Sequence, residues 1–210
     1  MPRIIWDISQ TLRPALPVWP GDTPFSLVAR WSIDAGSPVN VAAFETTVHA
    51  GAHADAPLHY HGGGASVADL DLEPYLGACL VVDARAAGEL LSQAFVAASA
   101  PDPPPRVLFR TFDRFPHDAW PASFTAVDPA AIEYLANRGV VLIGVDSPSL
   151  DPQDSRTMDA HKAILASDMR VLEGLVLDDV PPGLYELIAL PLKLAGLDAS
   201  PVRAVLRSPA

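Results

Sequence analysis

The stretch His49-Ala-Gly-Ala-His-Ala-Asp-Ala-Pro-Leu-His59 constrains the fold more than any other part of the chain. Three of the six histidines and one aspartate fall within these eleven positions, separated almost only by alanine, glycine and proline. Small spacers leave the polar side chains room to converge. All four polar residues stand at odd positions, as do Glu45 and Thr47, whereas Phe44, Thr46 and Val48 stand at even ones. Alternate side chains of an extended chain share a face, so the apolar side is expected to meet the core and the ligands a cavity. A straight strand from 49 to 59 would spread its ends by about 33 Å, too far for one site. Gly51 and Pro57 are therefore expected to bend the segment around a common point, and both argue against a continuous helix.

Imidazole and carboxylate are the ligands expected for zinc and, less selectively, for manganese or iron. His49, His53 and Asp55 offer three from one segment. A catalytic zinc needs three protein ligands and an open position for water, whereas a structural site is more often closed by cysteines. The only cysteine, Cys79, excludes a zinc finger and an internal disulfide, and it fits a reducing cytoplasm. The bland alternative is a surface loop of solvated histidines. A second contribution has to come from elsewhere. His161 and Glu173 are candidates, but spacing alone does not separate them from a helix histidine and a solvated glutamate. His117, in the proline-rich segment Phe115–Pro121, reads as a surface residue.

A chain of 210 residues, half of them hydrophobic, suits a single domain over residues 1–210 with a sizeable core. A net charge of −11 argues against nucleic acid as a partner. No apolar run approaches the roughly 20 residues of a membrane span. Met1-Pro-Arg-Ile-Ile-Trp leads into a strand-like pattern without the features of a signal peptide, which points to the cytoplasm.

Strands are expected at Ile4–Ser9, Phe25–Ser32, Val39–His49, Gly77–Asp83, Arg106–Arg110, Val140–Asp146, Arg170–Glu173 with a run to Leu177, Tyr185–Pro191 and Ala204–Leu206. Helices are expected at Glu89–Ala98, at Pro129–Arg138 with Asp128 as N-cap and Gly139 as stop, and at Met158–Ala166. This mixture predicts an α/β (mixed α+β) fold with a mixed sheet and flanking helices. Thr11–Asp22 is a loop with a Trp-Pro-Gly-Asp turn. Its Trp19 is either an aromatic lid over the core or a surface on which a substrate stacks. There is no Gly-x-Ser-x-Gly nucleophile elbow, so Ser147 and Ser149 read as cavity wall.

His49-x-Gly-x-His53-x-Asp55-x-Pro57-x-His59 resembles the signature of the cyclase-like metal-dependent hydrolases. Trp6-Asp-Ile-Ser9, Pro17-Val-Trp-Pro-Gly-Asp-Thr-Pro24, Gly144-Val-Asp-Ser-Pro-Ser149, Ala160-His161 and Leu172-Glu173-Gly174 follow in family order, so the resemblance spans essentially the whole chain. The family often has threonine where this chain has Ala52, and alanine there leans towards its formamidase branch. The resemblance implies a swivelling β/β/α fold, a homodimer and two zinc ions per subunit, with manganese or another divalent ion as an alternative. His49, His53 and Asp55 would bind one ion, and Asp55 would bridge to a second on His161 and Glu173. His59 would act as general acid/base and Trp19 would pack on the substrate's ring. The implied reaction is hydrolysis of N-formyl-L-kynurenine to L-kynurenine and formate, in tryptophan degradation. His61 then reads as a bystander or a support for the ligands. The alternatives are a relative that opens a cyclic amide such as isatin, and a non-catalytic metal-binding protein that keeps the fold.

Overall fold

The computed structural model describes residues 4–121 and 123–209, so the opening Met1-Pro-Arg of the expected strand-like start lies outside it. Its strands are β1 (Ile5–Asp7), β2 (Ser26–Trp31), β3 (Val41–Glu45), β4 (His53–Asp55), β5 (Leu76–Asp83), β6 (Leu90–Leu91), β7 (Arg106–Arg110), β8 (Ala126–Val127), β9 (Leu142–Val145), β10 (Arg170–Glu173), β11 (Gly183–Ile188), β12 (Ala199–Pro201) and β13 (Val205–Arg207). The helices are α1 (Pro57–Tyr60), α2 (Gln93–Ser99), α3 (Pro129–Ala136) and α4 (Asp159–Ala166). Nine strands join one mixed sheet in the order β1-β13-β11-β5-β7-β9-β10-β4-β12.

At the centre β5, β7, β9 and β10 run parallel. Parallel neighbours need long crossovers, and α2, α3 and α4 supply them, one between each successive pair. Both faces of these strands are covered, which explains their nearly unbroken apolar runs. On one face Phe109, Ile143 and Val171 pack with Ile132 and Leu135 of α3 and Ile164 of α4. On the other the sheet curls upon itself. Ala52 and Ala54 from one end of the strand order share a cluster with Leu187 and Leu206 from the other. Backbone hydrogen bonds from Ile8 to Ala204 and from Val202 to Ala52 stitch that closure.

The expected mixed fold is the one observed, but three local expectations fail. Phe44 does not face the core: β2 and β3 form a separate two-stranded hairpin, exposed throughout, in which Phe44 stacks on Phe25 at 5.7 Å. Period-two alternation marks a strand's two sides but cannot say that either is covered. The helix expected at Glu89–Ala98 begins only at Gln93, because Leu90 and Leu91 pair with β8 and the Ser92 side chain caps the helix at the Phe95 amide. The strand expected to run on to Leu177 stops at Glu173, where Gly174 turns the chain at φ +65°. The α3 cap is as expected, with Asp128 accepting from the Ala130 amide. No helix among the described residues is long and apolar enough to cross a membrane.

A Cβ at Gly174 would stand 2.6 Å from the Gly51 carbonyl oxygen and would carry a left-handed φ. Gly174→Ala is therefore expected to cost about 2–4 kcal/mol. Thermal denaturation should show a melting temperature lower by roughly 5–15 °C; an unchanged value would refute the close-approach argument.

Candidate metal centre

The site is assembled at the carboxyl ends of the parallel strands, where open α/β sheets place their ligands. His53 and Asp55 alternate along β4 and so share a face, the one that His161 of α4 meets. Antiparallel pairing sets Glu173 of β10 directly opposite His53. His161 reaches the same point from α4, and all four side chains are buried. His49 arrives from the turn before β4. Gly51, at φ +65°, folds that turn back, and Pro57 opens the short α1 that returns His59 to the cluster. The two bends read from the sequence are thus where the chain turns.

The rings are fixed from behind. His53 Nδ1 donates to the Gly51 carbonyl at 2.8 Å, which turns Nε2 towards the cluster. His161 Nδ1 lies 2.6 Å from Asp151 Oδ2, and the Asp151 carboxylate also accepts from the Ala160 and His161 amides at the start of α4. Glu173 Oε1 accepts from the Leu150 amide at 2.8 Å. Asp198 Oδ2 faces two rings, His59 Nδ1 at 3.0 Å and His49 Nε2 at 3.1 Å. Asp151 and Asp198 escaped the sequence analysis. They stand ten and more than a hundred residues from the histidines they serve, and nothing in their neighbours marks them.

The inward atoms are left bare. Asp55 Oδ1 lies 3.0 Å from His49 Nδ1 and 3.5 Å from His53 Nε2, and Asp55 Oδ2 lies 3.4 Å from His161 Nε2. Glu173 completes the ring, 3.5 Å from His53 Nε2 and 3.3 Å from His161 Nε2. Yet neither Asp55 oxygen nor His161 Nε2 makes a hydrogen bond. Buried polar atoms are rarely left so. Ligands 2.0–2.1 Å from a tetrahedral zinc stand about 3.3 Å apart, so these separations fit donors aimed at a common ion rather than at one another. Among the described residues two groups have ligand atoms close enough to hold an ion, His53 with Asp55 and Glu173, and His49 with Asp55 and His59. The residues therefore fit a metal, and His59 lies close enough to be a ligand as well as a proton carrier.

Charge leads the same way. Burial opposes protonation of His49, but Asp55 and Asp198 outweigh it and raise its pKa to about 9. Burial also opposes a charged His161, yet Asp151, Asp55 and Glu173 hold its pKa well above the ordinary value. Burial would raise Asp55, and its histidine neighbours pull it well below the usual carboxylate range instead. The cluster attracts positive charge, and a divalent cation meets that demand.

The cluster opens on a cavity of about 280 Å³ walled by Trp19, Phe112, Phe115 and Trp120. Trp19 meets Trp120 edge-on at 5.4 Å. The turn carrying Trp19 closes through a hydrogen bond from the Asp22 amide to its carbonyl, with Gly21 at φ +92°. Asp146, buried at the end of β9, accepts from the Thr111 and Phe112 amides and so holds the Phe112 wall in place. Of the two serines read as wall, Ser149 lines the cavity and Ser147 is buried behind it. His61 and His117 are exposed and take no part in the cluster.

With this geometry in hand, the chain belongs to the Cyclase family ("Putative cyclase"), whose model matches residues 6–152. More particularly, it is 56% identical over 203 residues to a kynurenine formamidase from Sphingopyxis alaskensis, covering 97% of each protein. A kynurenine formamidase from Erythrobacter litoralis is 54% identical, over 98% of this chain and 94% of that one. Among solved structures it is similar to a potential metal-dependent hydrolase with cyclase activity, at 27% identity and TM-score 0.86 over the whole of both chains. It is also similar to isatin hydrolase A from Ralstonia solanacearum, at 27% identity and TM-score 0.85, over 99% of this chain and 92% of that one. A metal cofactor follows from the cluster and these relatives together.

Asp151 holds the outer nitrogen of His161, so Asp151→Ala is expected to weaken metal binding roughly 10–100-fold. Competition with a chelator measures it, and unaltered affinity would exclude His161 from the metal.

Proposed function

We propose that the chain hydrolyses N-formyl-L-kynurenine to L-kynurenine and formate. It acts in tryptophan degradation as a cytoplasmic homodimer of single-domain subunits, each with two zinc ions. The observation that carries this reading is the buried cluster of His53, Asp55, His161 and Glu173, with both Asp55 oxygens and His161 Nε2 unpaired, set against an aromatic cavity that His49, His53, His59 and Glu173 line. Strong similarity to two kynurenine formamidases supports the choice of substrate.

His49, His53 and Asp55 would hold one ion and His161 and Glu173 the other, with Asp55 shared between them. When bound, the metal supplies a Lewis acid that acidifies water to about pKa 7 and polarises the formyl carbonyl. Asp55 has two oxygens, so one carboxylate would offset charge on both sides. The aromatic walls, Trp19 foremost, take the aryl ring. At about 280 Å³ the cavity lies near the lower end of ligand pockets, which suits one ring with a short side chain. His59 Nδ1 faces Asp198, which leaves Nε2 to carry the proton. It accepts a proton from the attacking water and delivers it to the aniline nitrogen as the C–N bond breaks, because neutral aniline leaves far more readily than an anilide. Asp146, Ser149 and the small Gly174 also line the cavity.

Purified enzyme should release kynurenine from N-formyl-L-kynurenine much faster than it opens isatin, and elemental analysis should find two zinc ions per chain. No kynurenine, or isatin as the better substrate, would favour the cyclic-amide alternative. His59→Ala should keep both metals while losing roughly 10²–10⁴ in turnover. Loss of a metal would make His59 a ligand, and unchanged turnover would remove it from the chemistry.

The homodimer has support in the β2–β3 hairpin. Leu27, Trp31, Ile33 and Phe44 are each more than half exposed on an element that buries nothing of its own. A lone hairpin is marginal in water, and an apolar patch of this kind marks an interface. A second copy of the chain is the partner that fits. Light scattering should give the mass of two 22.2 kDa chains for the wild type and of one for the double variant Trp31→Glu, Phe44→Glu. A wild-type monomer would overturn the assignment.

A further inference from the structure

We propose that Asp198 is the positioning residue of the reaction, holding His59 in the tautomer and orientation that protonate the leaving nitrogen. The inference rests on the proposed amide hydrolysis and goes beyond it, because Asp198, which also backs the His49 ring, reaches the proton carrier itself. His59 is the exposed histidine of the cluster, and α1, which carries it, is a single turn of four residues. Its ring packs against the His49, His161 and Tyr60 rings, and ring faces of this kind do not choose between its two nitrogens. Asp198 makes the choice: Oδ2 accepts from Nδ1 at 3.0 Å and leaves Nε2 for the substrate. A carboxylate behind a histidine also stabilises the imidazolium that exists between taking a proton from water and giving it up.

The backbone makes this anchor firm. The Asp198 carbonyl accepts from the Ala56 amide at 2.8 Å, and the preceding Leu197 carbonyl accepts from the Val67 amide at 2.9 Å. The next residue, Ala199, opens β12 and pairs with Asp55 itself. Asp198 is thus registered against the segment that runs from the bridging carboxylate to His59. The same Oδ2 also meets His49 Nε2 at 3.1 Å, so one oxygen ties the proton carrier to a ring of the metal cluster. The two rings stand 4.3 Å apart at 48°. A role for Asp198 confined to His49 is the rival explanation, and it predicts lost metal instead of altered proton transfer.

The test uses the zinc-loaded enzyme and formanilides whose ring substituents vary the basicity of the departing aniline. With zinc kept in excess of any weakening at His49, Asp198→Ala and Asp198→Asn should lower kcat roughly 10²-fold, with KM little changed and both ions bound. The loss should deepen as the aniline becomes more basic, with the same slope as His59→Ala. In the His59→Ala background Asp198→Ala should add no further loss, because both act through one proton. NMR of ¹⁵N-histidine enzyme should place the neutral His59 proton on Nδ1 in the wild type and lose that preference in Asp198→Ala. An equal loss for every formanilide, multiplicative losses in the double variant, an unchanged tautomer, or departure of a metal with the slope intact would each overturn the proposal. A wild type inactive on every aryl formamide would overturn the proposed function instead, while the tautomer measurement still reads the link between Asp198 and His59.

Discussion

Two carboxylates, Asp55 and Glu173, are buried within a ring of imidazoles, and the rest of the molecule is arranged to keep them there. An ionised carboxylate taken out of water costs several kcal/mol unless hydrogen bonds or opposite charge compensate it. Glu173 has one backbone donor, from Leu150, and Asp55 has none. The histidines beside them respond by holding protons more tightly, His161 well above the ordinary value and His49 up to about 9. Protons are a poor substitute for a fixed cation, since each ring that takes one loses a lone pair. Metal binding keeps the lone pairs and supplies the charge, so the ligand set and its electrostatics make the same demand.

The sheet makes that arrangement affordable by pinning it from both sides. β4 is only three residues long, yet it lies between β10 and β12 and pairs with each. That pairing fixes the register that puts Glu173 opposite His53. A slip of one residue would turn every side chain of β4 to the opposite face and send Ala54 to the metal. The alanines at 52 and 54 then matter as much as the ligands. Ala54 on β4 and Ala52 just before it fill the far face, where the curled sheet packs against them.

Much of this was legible in the chain. The dense motif, its two bends and the alternation of His53 with Asp55 follow from local spacing. The central strands follow from apolar runs, and α3 from its cap. What stayed hidden was non-local. The resemblance singled out His161 and Glu173, but only pairing in space shows that they meet Asp55. Asp151 and Asp198 work through a few hydrogen bonds to histidines elsewhere in the chain and leave no periodic trace. Trp120 was lost in a proline-rich loop, where no pattern distinguishes a cavity wall from a surface aromatic. The exposed hairpin misled for a related reason: its pattern records two unlike sides and says nothing of what covers them.

The division between strands and loops also bears on how one architecture serves different amides. The side chains of the cluster stand on β4, β10 and α4, or on a turn fastened to them, whereas Trp19, Phe112 and Trp120 come from the long connections after β1 and β7. Loops of this kind tolerate change that strands in a pinned sheet do not. Similarity to an isatin hydrolase at 27% identity and TM-score 0.85 shows how little the frame moves while most residues differ. The chemistry differs at the leaving group. A ring-opened amide keeps its amine tethered to the product, whereas a formanilide releases it, so prompt protonation of nitrogen matters more in the second case. Selection between the two is then open to the loop-borne walls that would seat the ring, which can vary while the sheet beneath them is kept.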